Sequence, residues 1–152
     1  MAVKFAGFNL DSPLIMGIVN VTPDSFSDGG ETFKTSAAIS RAINQIDSGA
    51  DIIDVGGQST RPGSQPISPK QELNRILPVV KALVREGVIV SVDTYKAEVM
   101  EAVLDEGVKI INDISALTAD KRSLEVITSA KASVVLMHMR GDPHDMMENT
   151  NY

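Results

Sequence analysis

The chain predicts an α/β protein built on a parallel sheet, and three observations carry that reading. Apolar runs of strand length alternate with longer segments of helical period, the pattern of successive strand–helix units. Gly49, Gly87 and Gly107 each follow a helical segment and precede the next apolar run, where a left-handed helix end favours a residue without Cβ. The stretches Gly49 to Asp54, Gly87 to Asp93 and Gly107 to Asn112 echo one another, each running from glycine through an apolar strand to a carboxylate or carboxamide. Their unequal separations exclude a solenoid and leave the repeat unit of a barrel or of an open α/β sheet.

Taken in order, Lys4-Phe5 and Phe8-Asn9-Leu10 around Gly7 predict a small entry hairpin. The apolar run Leu14-Ile15-Met16-Gly17-Ile18-Val19 predicts a buried strand over 14–20, followed by a helix over 35–47 and a second strand over 51–55. Ser68-Pro69-Lys70-Gln71 opens a helix over 69–86. Ser68 caps it, Pro69 takes the first helical position, and Gln71 reaches back to close a capping box. Pro78 lies inside that helix and should bend it. Strands over 88–92, 109–112 and 133–137 then alternate with helices over 95–106 and 121–130.

With 152 residues, 43% of them hydrophobic, the chain can bury one sizeable core and reads as a single domain. It contains no cysteine, so a disulfide framework and thiolate chemistry are excluded, which suits a cytoplasmic protein. A net charge of −6 without any run of Lys or Arg argues against nucleic-acid or anionic-membrane partners, so an anionic ligand must be held locally. No long apolar segment follows the N-terminus; neither a signal peptide nor a membrane span is expected.

The chemistry concentrates where strands end. Asn20-Val21-Thr22-Pro23-Asp24-Ser25-Phe26-Ser27-Asp28-Gly29-Gly30 follows the first strand directly, and ordering eleven small or polar residues for packing alone would be costly. Four consecutive strands are read as finishing at Asn20, Asp54, Asp93 and Asn112, whose side chains should converge on one mouth. Convergent carboxylates and amides suit the edge of a heterocycle that offers both donors and acceptors. The plainer alternative, that Asp93 and its neighbours cap the following helices, weakens with four in succession. The loop Gly56-Gly57-Gln58-Ser59-Thr60-Arg61-Pro62-Gly63-Ser64 is rich in amides and hydroxyls and carries one guanidinium, Arg61, read as a diphosphate clamp rather than a surface ion pair. His138 is read as a packed or backbone-bonded histidine rather than a metal ligand, since the only other histidine of the sequence, His144, stands in a polar tail.

The segments Met16 to Gly30, Asp54 to Gly63, Ser91-Val92-Asp93-Thr94, Ile111-Asn112-Asp113-Ile114 and Leu136-Met137-His138-Met139 together resemble dihydropteroate synthase. That family joins 6-hydroxymethyl-7,8-dihydropterin diphosphate to 4-aminobenzoate on a (β/α)8 barrel, releases diphosphate with help from Mg²⁺, and is the sulfonamide target. The resemblance implies that Asp93 and Asn112 hydrogen-bond the pterin, that Ile114 and Met137 pack against it, and that Thr60 contacts the pterin diphosphate. It implies that Asn20 helps to hold the metal and diphosphate, and that Phe26 and Pro62 surround the aminobenzoate. Asp28 and Arg61 become ordering residues of two mobile catalytic loops, and Asp54 supports the pocket floor.

A (β/α)8 barrel typically takes about 250 residues, so this chain is expected to form a partial barrel of about five parallel strands with helices outside. The remainder of the barrel in the family supplies a further aspartate, a lysine and an Arg-x-His segment. Only Arg61, assisted by Arg140, brings positive charge to these motifs, and the 152-residue chain alone is expected to have little or no activity. Open sheet edges predict pairing either with another chain, as in a homodimer, or with residues outside this sequence. The rival readings are a pterin-binding methyltransferase domain, which has no need of an aminobenzoate loop, a non-catalytic pterin-binding module, and a sugar-acting barrel with a late phosphate loop.

Overall fold

The computed structural model describes residues 4–22, 31–59 and 65–138. Two short antiparallel strands, β1 (Lys4–Phe5) and β2 (Phe8–Asn9), form the expected hairpin, with Gly7 at φ +94° in the turn. The main sheet has five parallel strands in sequence order: β3 (Met16–Asn20), β4 (Ile52–Gly56), β5 (Val90–Asp93), β6 (Ile110–Asp113) and β7 (Ser133–Leu136). The connections are α1 (Glu31–Asp47), α2 (Pro69–Arg85), α3 (Ala97–Asp105) and α4 (Ser123–Ala130).

Alternation along the strands sorts their side chains. Val19, Ile53, Val55, Val92 and Ile111 turn toward the helices and join one core with Ala38, Ala42, Ile76, Val79, Leu83, Met100 and Val103. The opposite face carries Ile18 and Asn20 of β3, Asp54 and Gly56 of β4, Ser91 and Asp93 of β5, and Ile110 and Asn112 of β6. Ile18 is 56% exposed on that face.

Local chemistry explains the boundaries. Ser68 accepts from the Gln71 backbone N–H at 3.2 Å while the Gln71 side chain accepts from the Ser68 N–H at 3.0 Å, the capping box the sequence predicts. The helix continues through Pro78 to Arg85. Gly49, Gly87 and Gly107 adopt φ of +106°, +78° and +99° at the ends of α1, α2 and α3. Helix α1 begins a turn earlier than the sequence pattern indicates, because Glu31 to Lys34 add no apolar period to be read. Helix α3 begins later, because Thr94 N–H still bonds Asn112 O and Lys96 is extended. The α4 start is set by Asp120, whose carboxylate accepts from the N–H groups of Arg122 and Ala97.

Candidate active site

One row of paired positions crosses the sheet at its carboxyl end: Asn20 against Gly56, Gly56 against Asp93, and Asp93 against Asn112. At Gly56 a Cβ would lie 3.0 Å from Asn20 Oδ1 and 3.7 Å from Asp93 Oδ2, so both side chains lean over the glycine. The row below runs Ile18, Asp54, Ser91 and Ile110. Here the sequence expectation needs correcting. Strand β4 ends at Gly56 and β6 at Asp113, so Asp54 lies one side-chain layer beneath the rim and Asn112 one residue inside its strand. An apolar run shows where hydrophobicity stops; the ladder in β4 continues two residues further through Val55 and Gly56.

The layers are nevertheless joined. Asn112 Nδ2 donates to Asp54 Oδ2 at 3.0 Å, which draws the rim amide down onto the buried carboxyl. Asp54 is only 5% exposed, and its Oδ1, like the Ser91 hydroxyl, is buried without a hydrogen bond of good geometry. Burial pushes the Asp54 carboxyl above its ordinary range, offset in part by the nearby Ser91 hydroxyl and the Asn112 amide. Asp93 is pushed up to about 7, first by burial and then by the carboxylates of Asp54, Glu72 and Asp113, with Lys96 acting the other way. A surface of this kind suits a planar heterocycle bearing several N–H donors, for which carboxyl and carboxamide oxygens are the matching acceptors.

Ile114 is buried just beyond β6, and Met137, 36% exposed, follows β7, so both stand at the same end of the sheet as the polar row. Among the predicted site residues, Phe26, Asp28, Thr60, Arg61 and Pro62 lie outside the described residues, as does Arg140. His138 is exposed, which removes the packed half of its reading and leaves the backbone-bonded half untouched.

Four contributors escaped the sequence reading. Ser91 shares the parity of Asp93 along β5. Asp113, fully buried on the opposite parity, accepts from Ser115 N–H and Oγ–H and from Leu117 N–H, fixing the turn after β6. Glu72 and Lys96 form an ion pair between α2 and the β5–α3 turn, with Glu72 1% exposed. A signal for Glu72 was available, since it stands with Ile76, Val79 and Leu83 on the buried stripe of α2, where an unpaired charge would be prohibitive.

The sequence profile of the pterin-binding enzymes matches residues 16–152. The chain belongs to the pterin-binding enzyme family. Within that family it is 47% identical over 139 residues to the dihydropteroate synthase of Synechocystis sp., a match covering 91% of this chain and 48% of the relative. Among solved structures, the Yersinia pestis dihydropteroate synthase with a sulfonamide drug complex superposes with a TM-score of 0.86 at 42% identity, over all of this chain and 56% of that one. The Xanthomonas albilineans dihydropteroate synthase with 4-aminobenzoic acid gives 0.82 at 45% identity, over 88% of this chain and 49% of that one. The five strands and their helices are thus a partial barrel of the pterin-binding enzyme type. The chain spans about half the length of the curated relatives it matches.

Proposed function

We propose that the protein acts as a dihydropteroate synthase of folate biosynthesis, condensing 6-hydroxymethyl-7,8-dihydropterin diphosphate with 4-aminobenzoate to give 7,8-dihydropteroate and diphosphate. The observation that supports it most directly is the polar row Asn20, Gly56, Asp93 and Asn112 at the carboxyl rim of the sheet, in a chain 47% identical to a dihydropteroate synthase. Asp93 and Asn112 read the pterin edge, Asp54 holds Asn112 in place from below, and Ile114 and Met137 flank the ring. Thr60 contacts the diphosphate, Phe26 and Pro62 line the aminobenzoate site, and Asp28 and Arg61 order the two loops over the reacting atoms. Water competes with the aromatic amine for the pterin methylene, which gives those loops the task of excluding it.

Mg²⁺ fits this reading in a limited way. Asn20 offers an exposed amide oxygen at the rim, and no group of three acidic or histidine side chains forms a cage among the described residues. That suits an ion which keeps several waters and is held largely by substrate phosphates, with Asn20 as a protein ligand. When bound, the ion neutralises charge on the departing diphosphate. The relative from Yersinia pestis, solved with a sulfonamide drug complex, supports sulfonamides as competitors here too. A cytoplasmic homodimer completes the proposal.

Calorimetry with the pterin diphosphate and a coupled condensation assay test the reading. The whole enzyme is expected to bind the pterin and form dihydropteroate, whereas the 152-residue chain alone is expected to bind weakly and turn over little. Methyl transfer from methyltetrahydrofolate, or pterin binding that survives loss of both Asp93 and Asn112, would refute it.

A further inference from the structure

We infer that Gln58 and Lys96, backed by Glu72, are positioning residues that clasp the two ends of the β4–α2 connection against the end of β5. Gln58 Oε1 accepts from Lys96 Nζ at 2.6 Å and from the Ile67 backbone N–H at 3.1 Å, while its Nε2 donates to the Tyr95 hydroxyl at 2.8 Å. A flipped amide would set its NH2 against two donors, so the orientation of Gln58 is forced. Ile67 lies nine positions along the chain from Gln58, so one side chain spans the base of the connection. Tyr95 and Lys96 sit in the turn immediately after Asp93, which refers the clasp to the strand bearing the central carboxyl.

The same ammonium pairs with Glu72 on the core stripe of α2. A buried ion pair adds little stability over apolar residues of equal volume, so its physical rationale here is placement: it joins α2, the end of β4 and the β5–α3 turn at one point. A second tie reinforces the first. Arg75 Nη1 donates to Gly57 O at 2.8 Å, and Gly57 is packed so tightly that a Cβ would lie 2.7 Å from Ile76 Cγ2. Fixing both ends of a connection removes part of the conformational freedom that ligand binding must otherwise quench.

Hydrogen–deuterium exchange on the 152-residue chain reads the clasp without any turnover. In Gln58→Ala the Ile67 amide is expected to exchange about fivefold faster or more, with β4 and β5 amides unchanged. Gln58→Glu keeps an acceptor for both donors, and the Tyr95 hydroxyl can turn to donate, so it is expected to restore protection. Removing Lys96 alone strands a buried carboxylate; the paired change Glu72→Gln with Lys96→Met avoids this and is also expected to speed Ile67 exchange. Unchanged Ile67 protection in Gln58→Ala, or protection lost evenly across β4, α2 and β5, overturns the clasp.

A steady-state arm on the whole enzyme rests on the synthase reading above. Gln58→Ala is expected to raise KM for aminobenzoate by about fivefold while KM for the pterin changes by less than about twofold. Fast Ile67 exchange with a normal aminobenzoate KM refutes the positioning role. Fast exchange in an enzyme with no synthase activity at all upholds the clasp and refutes the synthase reading instead.

Discussion

Asp93 stands where burial and the carboxylates of Asp54, Glu72 and Asp113 oppose its ionisation, so that it titrates at about 7 against an ordinary 3.8. Between those two values the folded chain binds more protons than the unfolded one, and stability therefore falls as pH rises through that window. Asp54, also raised, contributes in the same direction. Asp93→Asn is expected to flatten the fall without abolishing it, leaving the variant more stable than the parent by a few kcal/mol at about pH 8 and little different near about pH 4, as urea unfolding would measure. The same variant is expected to bind pterin at least about tenfold more weakly by calorimetry, a stability gained where function asks for strain. The adjacent glycines separate the two effects further. Gly57→Ala drives a methyl into Ile76 and Glu72 and is expected to cost about 1–3 kcal/mol in urea midpoint analysis. Gly56→Ala meets mainly Asn20 Oδ1, 3.0 Å away, and is expected to cost less stability but to weaken diphosphate binding through the displaced amide.

At the level of elements, α2 shows how local chemistry sets a boundary: its capping box satisfies N–H groups that the first turn leaves unpaired. Ser68→Ala is expected to lower stability by about 1 kcal/mol, read as a shift in thermal midpoint, with the sheet's hydrogen-exchange protection retained. That box was legible because all its parts lie within four residues. The five strands and the glycine-ended helices were legible for the same reason, each being declared by a local period or a single φ requirement. Asp54 was placed a layer too high because strand pairing is not local: Gly56, with no side chain to mark it, continues the ladder to its true end. The Glu72–Lys96–Gln58 cluster joins three separated segments, and only the charge on the buried stripe of α2 hinted at it. Asp113 was hidden behind Asn112, since neighbours in a strand face opposite ways and one polar pair looks like one site.

For the molecule as a whole, the described helices lie on one face of the sheet, whereas all-parallel sheets ordinarily have both faces covered. Among the described residues, strands β3 and β7 are each paired on one edge only, and large apolar residues lie exposed near the other: Ile15 and Ile18 beside β3, Leu136 and Met137 beside β7. N–H and C=O groups that no neighbouring strand pairs, beside exposed aliphatic side chains, form a template for another strand even with the Ile18 carbonyl already held by Gln45 Nε2 at 3.2 Å, and the hydrophobic term favours covering edge and side chains together. The 152-residue chain is therefore expected to self-associate as its concentration rises, with light scattering giving a mass above that of one chain. Replacing Ile15 and Ile18 with lysine puts like charges along the β3 edge and is expected to shift the mass toward the single chain. Because both side chains are more than half exposed, their loss should leave the core and its thermal midpoint nearly unchanged. A parent chain that stays monomeric at high concentration, or a double variant that associates equally well, would show that these edges are not where the molecule seeks its partner.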